Sequence, residues 1–328
     1  MKKNLISIAS VDITYKCNLR CLHCFNCSGE QNYLRKEMTD DELLYLMESL
    51  SEIKSLRSMC FCGGETLLRK DILLQCIVYL HEKLPELNIN IVSNGTLIDE
   101  QIVLELKSVG INMVQISLDG LDSKVHDWIR NKEGVYNQAV NAIKLLVKHG
   151  IKVSVACLPT KRNYNDVTEI IELVKGLGVE SFRMQPLMLL GRAKKNLNDE
   201  ILGISEYRAL ARILMAKKME YAKEGFMIEW GDPIQHLSFY RDKELLYLSI
   251  SAYGQLIVSP YLPLVVGDLR KHSLEEYIEK GLLDVWKDDR VKKMGEMIAE
   301  ANKMDVSERF DMPEIFTEND IVYDVIEH

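Results

Sequence analysis

The chain has 328 residues, 47% hydrophobic and 27% charged, with 41 Lys and Arg against 49 Asp and Glu for a formal net charge of -8. That supplies apolar material for one barrel-sized domain and a smaller appendage, while the acidic balance argues against nucleic acid as the main partner, because phosphate binding needs clustered Lys and Arg. No stretch reaches the ~18 apolar residues of a membrane span, so no membrane partner is expected and a cytoplasmic location, where thiols stay reduced, is.

At the N-terminus two lysines precede the apolar run Leu5 to Val11, as in a signal peptide, but Asp12 ends the run and no small-residue cleavage site follows. The run reads instead as the start of a first strand, Ile6 to Thr14. Directly after it come Cys17, Cys21 and Cys24, three cysteines within eight residues. In a chain without secretory character such a cluster is a metal site before it is a disulfide framework. Three thiolates can hold three irons of a four-iron cubane and leave the fourth open for a ligand; a structural zinc knot uses the same residues, and spacing alone leaves both readings standing.

Beyond the cysteines, Thr39 and Glu42 form a capping box that opens a helix. Strands are then predicted at Ser58–Cys62, Ile89–Ser93, Met113–Leu118, Lys152–Cys157 and Ser181–Gln185. Helices fall between them near Lys70–Lys83, Asp99–Val109, Tyr136–His149 and Asp166–Gly176. Six beta-alpha units imply an α/β protein with a parallel sheet covered by helices. The alternation fits a flat doubly wound sheet or a partial barrel equally, and in both the chemistry lies at the C-terminal strand ends.

Polar motifs cluster at those ends. In Cys62-Gly63-Gly64-Glu65-Thr66 the glycines let a backbone approach a ligand closely, and the carboxylate can accept from an ammonium group. Ser93-Asn94-Gly95-Thr96 and Ser117-Leu118-Asp119-Gly120 carry hydroxyl, amide and carboxylate groups that suit a ribose or the polar end of an amino acid, although each alone is an ordinary strand-to-helix turn.

The Cys-x3-Cys-x2-Cys spacing resembles the signature of the radical S-adenosylmethionine (radical SAM) enzymes, and the later motifs resemble that family's at matching offsets. The resemblance implies a partial (β/α)6 TIM-like barrel over residues 1–193. Cys17, Cys21 and Cys24 would hold one 4Fe-4S cluster, and its open iron would be chelated by S-adenosyl-L-methionine, which is cleaved to a 5′-deoxyadenosyl radical that takes hydrogen from a substrate. Gly63, Gly64 and Glu65 match the segment that binds the methionyl amino group, with Thr66 in place of the family's proline. Ser93, Asn94, Ser117 and Asp119 are implied near the ribose or methionyl group. Arg130, in His126-Asp127-Trp128-Ile129-Arg130, matches the arginine whose planar fork pairs with the carboxylate, and His23 sits where an aromatic residue packs by the adenine. An external one-electron donor, flavodoxin-like or ferredoxin-like, is also implied.

Met184 to Met188 and Gly191-Arg192-Ala193 resemble the barrel exit of the branch that carries a SPASM or twitch extension. Residues 194–328 then read as a helical linker and a small α+β SPASM/twitch-like extension with an acidic tail from Asp305. The linker has a helix to about Glu224; the extension has a hairpin around Ser251-Ala252-Tyr253-Gly254 and a helix containing Trp286. Where that branch places auxiliary-cluster cysteines this chain has Ser259 and Tyr261, and no cysteine follows Cys157, which excludes a thiolate-ligated auxiliary cluster there. The branch implies a ribosomally synthesised peptide as substrate (crosslink, thioether or epimer), with a small metabolite or cofactor precursor as the alternative and a non-catalytic metal-binding module as a remote third. No peptide-recognition segment precedes the first strand, so any recognition element of that type would be a separate protein. Of the spare cysteines, by default small buried hydrophobes, Cys62 and Cys157 lie at strand ends where a thiol could return a hydrogen atom to a substrate radical.

Overall fold

The computed structural model describes residues 5–30, 35–231, 233–301 and 321–327. The chain opens on β1 (Ile8–Thr14), α1 (Asp40–Ser51), β2 (Ser58–Gly63), α2 (Lys70–Lys83), β3 (Asn88–Ser93), α3 (Glu100–Ser108) and β4 (Met113–Ser117). It continues through α4 (Ser123–Arg130), α5 (Val135–Lys148), β5 (Lys152–Cys157), α6 (Val167–Gly176), β6 (Ser181–Met184), α7 (Arg192–Asn196), α8 (Ile204–Tyr221) and β7 (Met227–Trp230). β1 to β7 are paired in order and all parallel.

The six expected units are present, and a seventh strand extends them. β7 went unseen in the sequence because four residues are too few for alternation to register. α8 packs on it, so the parallel sheet runs on past residue 193.

Alternation along each strand separates two environments. Ala9, Val11, Met59, Phe61, Ile89, Ile91, Val114, Ile116 and Val155 are fully buried in one core with Leu43, Met47, Leu73, Ile77 and Ile143 of the helices. The opposite face is polar: Ser10 and Asp12 sit in register with Cys60 and Cys62, and Val92 with Gln115 and Ser154. A parallel sheet normally carries apolar residues on both faces, so this polar inner face marks a lumen rather than a second core.

The C-terminal part adds strands to the other side of β1. After α9 (Pro233–Tyr240), β8 (Tyr247–Ile250) runs parallel to β1 and forms the expected hairpin with β9 (Gln255–Ser259); β10 (Leu262–Asp268) pairs antiparallel to β9. α10 (Leu274–Lys280) and α11 (Asp289–Ala301) follow, with Trp286 between them in a 3-10 turn rather than an α-helix. β11 (Ile321–Val322) lies parallel to β10. Residues 305–320 of the acidic tail lie outside the described residues; beyond them Asp324 is buried and accepts a hydrogen bond from Tyr277 Oη at 2.7 Å. Ser259 and Tyr261 join an aromatic group: Ser259 Oγ and His236 Nε2 are 3.1 Å apart, and the rings of Tyr240, Tyr261 and Trp286 surround His236 at 4.7, 5.1 and 6.3 Å.

Candidate active site

The cysteine loop leaves the C-terminal end of β1 and is braced from three sides. From β2, Gly64 N donates to Thr14 O at 2.7 Å and Glu65 N to Lys16 O at 2.9 Å. A Cβ on Gly63 would lie 2.2 Å from Thr14 O, one on Gly64 2.2 Å from Lys16 O, and Gly63 has φ +125°. The close approach of the chain's own backbone thus requires the paired glycines. From α4, Ile129 O accepts from Leu22 N at 2.8 Å. From the barrel exit, Arg192 donates through Nε to Cys21 O (2.9 Å) and Nη2 to Ser28 O (3.1 Å), and pairs with Glu30 at 2.7 Å. Arg192 N also donates to Cys24 O at 2.9 Å.

This bracing gathers the three thiols. Cys21 is buried with Leu19 and Val135, and Cys17 and Cys24 pack against that group. Burial pushes the free Cys24 thiol up to about 12 and raises Cys17, so metal binding must release protons. Among the described residues no three His, Cys, Asp or Glu side chains converge on a single ion. A cubane makes no such demand, since it spreads three thiolates over three irons. Two buried cations suit such an anionic group: Arg130 Nη1 lies 3.9 Å from Cys21 Sγ, and Arg192 acts electrostatically on Cys24.

Glu65 is fully buried, and its carboxylate accepts from Ser93 Oγ (2.9 Å), Asn94 N (2.8 Å) and Leu67 N (3.2 Å). Burial nevertheless raises its pKa. Asn94 Nδ2 donates to Asn18 Oδ1 at 2.9 Å, and Asn18 Nδ2 donates to Thr96 Oγ1 at 2.8 Å. Thr66, in place of proline, donates to Val92 O at 3.0 Å. These side chains lock the β2 and β3 ends to the cysteine loop. Asn18 is the member that sequence reasoning missed.

Asp119 and Arg130 are brought together. Asp119 Oδ2 accepts from Arg130 Nε at 2.7 Å and Nη2 at 2.6 Å, and Oδ1 accepts from Leu158 N at 3.0 Å. Burial opposes the charge on Asp119, but Arg130 and His126 offset it and hold the carboxyl below its ordinary range. Asn163, fully buried, donates to Asp119 O and Leu158 O, both at 2.8 Å; nothing in its local sequence announced this. His126 Nδ1 accepts from Asp119 N at 3.1 Å, and burial lowers its pKa to about 4. His23 lies in the same electrostatic field: burial, then Arg130, lowers it to about 3, and its buried Nδ1 has no partner among the described residues. Ser117 ends β4 on the face that carries Gln115.

A cavity of about 290 Å³ joins the loop to the lumen, lined by Phe25 and Asn26 of the loop, Asp12, Cys62, Gly63 and Gln115 of the strands, Gln185, and Tyr247, Ser249 and Tyr261 of the C-terminal part. Cys62 faces it, whereas Cys157 is buried in the apolar core.

Comparison with known proteins agrees with this arrangement. The family model described as the Radical SAM superfamily matches residues 11–174. The Fe-coproporphyrin III synthase of Methanosarcina barkeri is 29% identical over 66% of this chain and 53% of its own length. The PqqA peptide cyclase of Granulibacter bethesdensis is 24% identical over 84% of this chain and 72% of its own. The chain therefore spans about half of the synthase and most of the cyclase. Among solved structures, Streptococcus suis SuiB bound to precursor peptide SuiA aligns with a TM-score of 0.64 over 88% of this chain and 66% of SuiB, at 16% identity. Likeness at that identity bears on the fold, a partial TIM-like barrel with helices outside.

Proposed function

The chain belongs to the radical SAM superfamily, and on that premise we propose that it is a radical enzyme acting on a ribosomally synthesised peptide. Cys17, Cys21 and Cys24 hold one 4Fe-4S cluster, and Gly63, Gly64, Glu65, Ser93, Asn94, Ser117, Asp119, Arg130 and His23 border the S-adenosylmethionine site. When bound, the two cofactors supply one electron and a carbon-centred radical that takes hydrogen from the substrate. The protein's part is to shape, charge and dry the place where this happens. Asp119 fixes the Arg130 guanidinium by its Nε–Nη2 edge and leaves Nη1 toward the cysteines and an incoming carboxylate. Because Asp119 already takes the Nε–Nη2 edge, on this reading Arg130 offers Nη1 as a charged donor to the carboxylate. His23 stays neutral and presents an imidazole acceptor.

The observation that carries the peptide reading is the cavity. At about 290 Å³, it is lined by Asn26, Gln115, Gln185, Ser249 and Tyr261, amide and hydroxyl groups that suit a peptide side chain with its flanking backbone amides. The PqqA cyclase and the peptide-bound SuiB support the same reading. A second reading, a tetrapyrrole precursor, is favoured by the name of the Fe-coproporphyrin III synthase. An external flavodoxin-like or ferredoxin-like carrier supplies electrons, and a separate recognition protein can present the peptide. No described helix is long and apolar enough to cross a membrane.

The test is anaerobic co-expression with short peptides encoded near the gene, followed by mass spectrometry, alongside assays of 5′-deoxyadenosine release with peptides and with porphyrinogens. A peptide mass lower by two hydrogens, or deuterium gained from heavy water at unchanged mass in ordinary water, is expected. Release driven by porphyrinogens alone would replace the peptide reading with the second.

A further inference from the structure

Cys60 and Cys62 are two residues apart on the lumenal face of β2, with their sulfurs 3.3 Å apart. Both are half-buried, unlike Cys76 and Cys157 in the core. Cys62 lines the cavity that reaches Phe25 and Asn26 of the cysteine loop. Beside it in the β1–β2 register stands Asp12, whose carboxylate accepts from Tyr15 Oη at 3.0 Å; burial raises this acid to about 6. No trio of metal-ligating side chains among the described residues includes the pair. Residues i and i+2 of a strand are about 6.6 Å apart, within the reach of a disulfide.

Resting on the radical reading above, we propose that Cys60 and Cys62 form a catalytic dithiol: Cys62 returns a hydrogen atom to a substrate carbon radical, and Cys60 captures the resulting sulfur radical as a disulfide. The atoms and electrons balance. The Cys62 S–H bond breaks and a substrate C–H bond forms, leaving a sulfur radical. The Cys60 thiol loses its proton to solvent water, and its sulfur joins that of Cys62. One electron then leaves to the oxidised form of the flavodoxin-like or ferredoxin-like carrier, so that two thiols have become one disulfide. An external dithiol reductant restores the pair and is itself oxidised to a disulfide. The substrate class follows: a residue that ends the reaction with a new C–H bond, as an epimerised peptide does.

The test uses the reconstituted full-length chain. It is treated anaerobically with one equivalent of diamide, alkylated and digested, and the peptide bearing both thiols is weighed. That peptide should be lighter by two hydrogens, at least tenfold more abundant than its doubly alkylated form, and restored by dithiothreitol; Cys60→Ser should remove the bridge while its circular dichroism stays that of the parent. With a substrate that elicits 5′-deoxyadenosine, in heavy water without added thiol, one bridge should accumulate per deuterated product, and Cys62→Ser should cut product deuterium at least tenfold. Thiols that alkylate independently, a zinc ion held by the pair, or turnover that leaves the pair unbridged would overturn the dithiol alone. A total lack of 5′-deoxyadenosine with every substrate would instead bring down the radical reading and the dithiol with it.

Discussion

Arg130 and Asp119 are 9% and 1% exposed at their side chains and paired at 2.6 Å, so each is tolerable only because the other is there. Removing one partner of a buried pair costs about 3–5 kcal/mol. Arg130→Ala should therefore lose that much in urea denaturation as well as weaken S-adenosylmethionine binding, and a variant of unchanged stability would mean the pair is not formed. His126 gives a pH signature. Its folded pKa is about 4 against an ordinary 6.5, so the unfolded chain binds more protons between those values and stability falls as pH drops through that window, by about 3 kcal/mol in all. His126→Asn keeps an acceptor for Asp119 N without titrating. The stability difference between parent and variant should narrow as pH falls from 7.5 to 4.5, and a difference independent of pH would sink the assignment. Asp12 runs the other way. Its pKa is raised to about 6, so its charged form weakens the fold as pH rises through 4 to 6; because the side chain meets a cavity, we expect Asp12→Asn to gain only about 1–2 kcal/mol at pH 7.5 and nothing below pH 3.5.

The elements that place the cluster loop act through backbone contacts, and that decides what the sequence could reveal. Gly64→Ala puts a Cβ 2.2 Å from Lys16 O, a carbonyl that cannot swing aside. We expect it to displace the cysteine loop, at about 1–3 kcal/mol for overpacking, and to lower iron bound on reconstitution well below four per chain. Full iron content in a folded Gly64→Ala protein would contradict the brace. Local signals were legible: the Thr39–Glu42 capping box forms as expected, with Thr39 N donating to Glu42 at 2.7 Å, and the cysteine spacing and strand-end motifs needed no partner to be seen. The Asp119–Arg130 pair, the grip of Arg192 on Cys21 from 171 residues away, and Asn18 bridging to Asn94 were not legible. Each joins residues whose neighbourhood in space has no trace in local spacing, and Arg192 was visible only as part of an exit motif.

At the scale of the molecule, the C-terminal part is bound into the sheet. β1, which delivers the cysteine loop, lies between β2 and β8 and is hydrogen-bonded to both. Ser10 Oγ and Ser249 Oγ are 3.0 Å apart across the β1–β8 junction, and Tyr247, Ser249 and Tyr261 complete the cavity wall. Arg270 adds a clamp, donating to Glu42 at 2.7 and 3.0 Å and to Lys36 O and Glu37 O at 2.8 and 3.1 Å. A chain ending at Gly231 would expose the β1 backbone as an unpaired edge and open Ala9, Val11 and Ile13, all 0% exposed in the whole protein, near a raw sheet margin. Exposed edges of this kind template association with other chains. We therefore expect the truncated chain to aggregate or to bind no cluster, and the whole chain to unfold in one transition in which circular dichroism and Trp286 fluorescence coincide, with Trp128 and Trp230 replaced by Phe to isolate the signal. A soluble truncated barrel that holds four irons, or a Trp286 transition well separated from that of the helices, would show instead that the extension is an independent cap and that the β1–β8 pairing contributes little to the barrel.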